Sequence, residues 1–170
     1  LAIGQALLGL VYRSMQVHVH EMGKVIGEKA AWGAVEHDAT RETVPGVMVL
    51  RPDGPIFWAN ADQGTATIRN RARDRPGVHS VVLDLEATNQ LDSTAADRLG
   101  QLLTDLRAEH RDLYLVRVFR KVQVVLGRSG FLDELGEHRL WHSISAGVKQ
   151  ARRAPYGVAP AAENGPAEEA

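Results

Sequence analysis

The side chains able to do chemistry are few and widely spaced. Seven histidines and no cysteine occur in 170 residues. Without cysteine there is no disulfide framework, no thiolate zinc site and no cysteine nucleophile. His18 with His20, and His138 with His142, could each turn two nitrogens to one side of a strand or helix. Neither pair has a third ligand at diagnostic spacing, so no metal site is expected. Arg69, Arg71, Arg73 and Arg75 form the densest basic run. Residues two apart lie on nearly opposite faces of a helix, so the ladder splits into 69/73 and 71/75. It reads as a solvated helix end or as a contact for anionic lipid or a nucleotide. No GxxxxGK[ST] or GxGxxG phosphate loop is present, and the serine near a histidine and an acid lacks a nucleophile elbow. No catalytic residue is assigned, and no enzyme activity is expected.

The elements that would position these residues alternate between strand and helix. The run 46–50 (GVMVL) reads as a strand, Pro52-Asp53-Gly54-Pro55 as a reversal, and Ile56, Phe57 and Trp58 as a returning strand. Asn60 with Gln63 has capping-box spacing for a helix running to about Arg75, where Pro76-Gly77 stops it. Residues 78–85 (VHSVVLDL) are almost continuously apolar, as a central strand covered on both faces would be. Asp92 can cap a helix in which Ala96, Leu99, Leu103 and Leu106 recur at helical spacing, ending near His110. A strand over 113–119, a helix over 122–128 terminated at Gly130, and a last helix over 143–153 complete the pattern. Phe57, Phe119, Phe131 and Trp141 are expected as core anchors. Such alternation gives an α/β fold with a mixed, mostly parallel sheet.

The flanks differ from this middle. Residues 1–12 (LAIGQALLGLVY) are apolar and uncharged but short of the ~20 residues that span a bilayer. They read as the end of a transmembrane helix or as a hydrophobic arm. Residues 13–43 mix His, Gly, Lys and Glu without a sustained period, as a juxtamembrane linker does. Residues 154–170, rich in Ala, Pro, Gly and Glu, read as a disordered tail. The formal net charge of −1 argues against a nucleic-acid partner.

Several phrases in this order resemble the carboxy-terminal STAS domain of bacterial SulP-type anion permeases. Val44-Pro45-Gly46, then Val49-Leu50-Arg51-Pro52-Asp53-Gly54-Pro55 and Phe57-Trp58-Ala59-Asn60-Ala61, resemble the opening hairpin and first helix cap. Asp84-Leu85 and the phrase from Leu91-Asp92-Ser93-Thr94 to Leu99 are similar to the central strand and signature helix start. Arg128-Ser129-Gly130-Phe131 and Trp141-His142-Ser143-Ile144 are similar to the closing helices, and His18 to Lys24 to the upstream linker. The resemblance covers residues 44–153. It implies a STAS fold of four to five strands covered by about four to five helices.

It also implies a function: a regulatory and structural module, on the cytoplasmic face of the cell membrane, of a transporter for sulfate or a similar anion. The membrane domain of the same transporter is then the first partner, and a second copy of the chain another candidate. Related anti-sigma-factor antagonists carry a kinase-modified serine that falls on Ser93, beside Asp92 and Thr94 in the signature loop and helix cap. A phosphate there would meet unpaired N–H groups at the positive end of the helix, although Ala95 replaces the usual glycine. The alternatives are a cap without a switch and a free-standing antagonist switched at Ser93. A weakly bound guanine nucleotide is the one cofactor the resemblance suggests, near Arg117 or Arg120. The anion carried is set by membrane helices and is not legible here.

Overall fold

The computed structural model describes residues 16–28 and 30–153. Two of its strands fall where the sequence suggested a linker over 13–43. These are β1 (Val19–Lys24) and β2 (Trp32–Ala34), paired antiparallel with each other. β1 also pairs antiparallel with β3 (Val47–Pro52), with Val19 opposite Pro52 and Glu21 opposite Leu50. β4 (Ser80–Asp84), β5 (Asp112–Val116) and β6 (Leu140–Trp141) continue the sheet in parallel. Among the described residues the sheet has six strands, in the order β2-β1-β3-β4-β5-β6. The expected segment 44–153 therefore lacks two strands that complete the sheet.

Alternation along the strands divides the core in two. Met48, Leu50, Val81, Leu83, Leu113 and Leu115 face helices α1 (Ala61–Arg73), α2 (Ser93–Ala108), α3 (Arg120–Arg128) and α4 (Phe131–Leu135). Val47, Val49, Val82, Tyr114 and Val116 face α5 (Ile144–Arg153), among the described residues the one α-helix on the other side. Leu99, Leu103 and Leu106 of α2 are wholly buried, each contributing roughly 1.5–3 kcal/mol through burial. The closeness of α5 to the sheet depends on Gly147, where an added Cβ would lie 2.5 Å from Val116 Cγ1.

Three local expectations fail. Ile56, Phe57 and Trp58 do not form a returning strand; only Ile56 bridges, in parallel, to Leu91. Asn60 does not cap α1. Its side chain accepts from Phe57 N at 2.9 Å and donates to Pro55 O at 3.0 Å, closing the turn ahead of the helix. Gln63 is drawn away to Val17, bonding both its N–H and its carbonyl.

Candidate functional site

Parallel strands leave β3, β4 and β5 at one end of the sheet, and the loops that follow gather there. β1 starts at the same end, so the chain enters the domain beside these loops. His18 O accepts from Asp53 N at 2.7 Å. In open parallel sheets this end commonly carries the binding surface.

Asp92 organises it. Extended backbone at φ −98° and ψ 175° lets its carboxylate reach back over the first turn of α2. Oδ1 accepts from Ala95 N at 2.8 Å, the N-cap bond expected from sequence. Oδ2 accepts from Trp58 N at 2.9 Å, so one side chain ties the 55–60 turn to the helix start. Ser93 and Thr94 lie exposed on that first turn. Beside them is a groove of about 480 Å³ with Ile56, Phe57, Leu91, Val122 and Val125 in its walls and Lys121 at its side. Trp58 is 68% exposed, Phe119 at the start of α3 is 42% exposed and Val124 on α3 is 45% exposed. Phe119 is thus a surface residue and not the expected core anchor, Phe57 and Trp141 are half-buried, and Phe131 is buried as expected. The Trp58 ring packs edge-on against Phe57, with ring centroids 6.5 Å apart.

The other candidate residues fall into fixed ion pairs. Arg69 and Arg73 face α2, reaching Asp105 and Glu109, while Arg71 and Arg75 reach Glu36 and Glu21 on the β1 side. The ladder splits as its spacing implies, and each half ties α1 to a neighbouring element. Gln101 and then Arg69 hold the Asp105 carboxyl below its ordinary value against burial. Burial alone would raise Glu36, yet the backbone N–H groups of Glu36 and Glu21 and the Arg71 guanidinium hold it low.

Arg117 is held by Asp84 and Glu86, and Arg120 is exposed at the start of α3. His20 lies 3.7 Å from Glu36 and 3.9 Å from Asp53. His138 is kept below its ordinary pKa by burial and by Arg139. Among the described residues no three His, Asp or Glu side chains converge as metal ligands. Sequence reasoning did not single out Trp58 as a surface residue, nor Arg51, which meets Asp84 from the neighbouring strand. The apolar character of Trp58 was visible but its direction was not.

Comparison with known proteins gives this surface a family. The STAS domain model matches residues 38–151. The "Probable sulfate transporter Rv1739c" of Mycobacterium tuberculosis is 29% identical over 153 residues, covering 89% of this chain and 27% of the relative. The chain thus spans about a quarter of the length of the curated relatives it matches. The murine Solute Carrier 26 family member A9 anion transporter superposes with a TM-score of 0.75 at 16% identity, covering 88% of this chain and 24% of that one. The anti-sigma factor antagonist SpoIIAA in its unphosphorylated form superposes at 0.54 and 16% identity, over 67% of this chain and 95% of that one. No described helix is long and apolar enough to cross a membrane. With a six-stranded mixed sheet, a signature helix capped by Asp92 and a family match over most of the folded region, the chain belongs to the STAS domain family and is homologous to the STAS domains of sulfate transporters.

Proposed function

We propose that this chain is the regulatory and structural module of an anion transporter, without catalytic chemistry of its own. In this reading it lies on the cytoplasmic side and docks through the surface around Asp92 and Ser93 onto the transporter's membrane part. The observation that carries the reading is the position of Trp58. It is 68% exposed, tied to Asp92, and at the end of the sheet where the chain enters through β1. A chain arriving from a membrane segment would bring this end nearest to the membrane part. Exposed aromatic groups with a helix start among them suit a protein partner.

The names of the curated relatives favour a transporter over a free-standing antagonist, since those matched are sulfate transporters. Sulfate or a related anion is the proposed cargo, since the curated relatives are named as sulfate transporters. Nucleotide sensing fits the same surface, where Lys121 borders the groove and Arg120 is exposed next to it. Localised resonance shifts on adding GDP or GTP would support it, and none at millimolar ligand would remove it.

The test of docking uses the full-length transporter. Ser93→Glu places negative charge on the helix start, and Trp58→Asp removes the exposed indole. Each is expected to leave the fold intact and to alter transport, or cross-linking between this domain and the membrane part. Unchanged transport and cross-linking in both variants would discard the docking surface.

A further inference from the structure

Two arginines, Arg51 near the end of β3 and Arg117 directly after β5, converge at the carboxyl end of β3, β4 and β5. Both are held by Asp84, the last residue of β4, whose side chain is 0% exposed. Asp84 Oδ1 accepts from Arg117 Nε at 2.9 Å and from Glu86 N at 3.2 Å, and Oδ2 accepts from Arg51 Nε at 2.5 Å and from Arg117 Nη2. The carboxylate is thereby used up in fixing the two guanidinium groups. Their outer nitrogens point elsewhere, and to the same place. Arg51 Nη2 lies 3.3 Å, and Arg117 Nη1 2.8 Å, from a single oxygen of Glu86, Oε2. Glu86 belongs to the loop after β4, and its side chain is 51% exposed.

The charges decide what this arrangement can do. Arg51, Arg117 and Asp84 together carry +1, and Glu86 brings the group to zero. Guanidinium groups fixed through Nε keep their remaining N–H donors aimed when the fourth member leaves, and such forked donors match carboxylate, sulfate and phosphate oxygens. A second cluster in the chain makes a useful contrast. Glu109 also sits between two arginines, Arg73 and Arg111, but the Arg73 side chain is 58% exposed and is anchored by no buried acid. Without Glu109, Arg73 would turn to water. Arg51 and Arg117 would stay. Arg117 also holds φ at +54°, a backbone state that non-glycine residues adopt only where their surroundings enforce it.

We infer that Arg51 and Arg117 form a binding site for a small oxyanion of the sulfate or phosphate type, in which the Glu86 carboxylate is the resident occupant that the oxyanion displaces. The loop that Glu86 opens runs directly into the groove residues Asn89, Gln90 and Leu91 and ends at Asp92. Occupancy at the arginine pair is therefore felt in the segment that shapes the partner-facing surface. The inference stands on these four side chains and does not require the transporter reading.

The test is titration of the protein with sodium sulfate, inorganic phosphate and sodium chloride at constant ionic strength, followed by backbone amide resonances. The native chain is expected to bind sulfate weakly, because Glu86 competes for the same donors. Glu86→Gln is expected to bind it at least about tenfold more tightly. Glu86→Ala is the second variant, since it asks no amide to fit between the guanidinium groups. Shifts should concentrate at residues 84–92 and at Arg51 and Arg117, with chloride much weaker because it offers no divergent oxygens. The relative response to sulfate and phosphate identifies the preferred oxyanion. Adding Arg51→Lys to Glu86→Gln keeps the charge but removes the fork, and should cancel the gain. Absence of a gain in both Glu86 variants would overturn the site. So would an equal gain in Glu109→Gln, or a gain that survives Arg51→Lys.

Discussion

Replacing Asp92 with alanine removes two backbone hydrogen bonds of different kinds, and their separate sizes can be worked out. The bond from Ala95 N is an N-cap, whose loss costs about 0.5–2 kcal/mol. The bond from Trp58 N is made near the surface, where water can partly replace it, and is worth about 0.5–1.5 kcal/mol. Asp92→Ala should therefore lower stability by about 1–3.5 kcal/mol. For a domain of this size that is a fall in Tm of about 4–13 °C. Asp92→Asn separates the two parts. Its single carbonyl oxygen can keep the cap, and asparagine is as good an N-cap as aspartate, but the amide NH2 cannot accept from Trp58 N. The asparagine variant should lose about 0.5–1.5 kcal/mol, with its change centred on the 55–60 turn. Urea unfolding followed by circular dichroism measures both, with the slope unchanged in each variant. The reasoning is refuted if Asp92→Ala stays within about 0.5 kcal/mol of the native chain, or if the asparagine variant loses as much as the alanine variant.

Gly147→Ala should destabilise by about 1–3 kcal/mol, because the new methyl group meets Val116 Cγ1 and α5 must move off the sheet; an unchanged urea midpoint would show that the helix can shift without cost. Tyr114 is wholly buried, its hydroxyl bonds to no described protein group, and burial followed by the nearby Asp112 charge pushes its phenol up to about 12. Because the folded value is raised, the protonated phenol's contribution to stability is complete below the ordinary value near 10 and is lost as pH rises toward 12. Tyr114→Phe should accordingly match or exceed the native stability at neutral pH and flatten the decline in alkali, as read from urea midpoints across that range; a loss above about 1 kcal/mol at neutral pH would mean that the hydroxyl has a partner.

What could be read from the sequence was what short-range chemistry determines. Asp92 caps α2 because its acceptor and the N–H it satisfies are three residues apart, and β4 is central because Val81, Val82 and Leu83 put apolar side chains on both of its faces. The two-by-two division of Arg69 to Arg75 follows from helical periodicity alone, although the acids that receive each half come from other elements. β1 and β2 were hidden because VHEMGK and WGA interrupt every alternation with Gly or charge, and they become strands through pairing with β3 and with each other. Ile56, Phe57 and Trp58 have strand-forming side chains, but the Asn60 side chain closes a turn on Phe57 and Pro55 that strand preference cannot anticipate. Of the arginine pair, Arg117 was singled out and Arg51 was not, since each is joined to Asp84 from 33 residues away.

The carboxyl end of the sheet thus combines two kinds of residue that answer differently to substitution. Asp84 and Asp92 each hold several groups, so changing either alters shape and stability together. Trp58, Ser93, Phe119 and Val124 point outward, and exposed positions of that kind usually shift stability by no more than about 0.5 kcal/mol. A docking surface made of the second kind can be altered while its frame stays still. If Trp58→Asp changed transport only by loosening the fold, Asp92→Asn would reproduce its effect at equal loss of stability. If it acts at an interface, transport should change with the urea midpoint unmoved, and Asp92→Asn should alter transport only as far as it displaces the 55–60 turn.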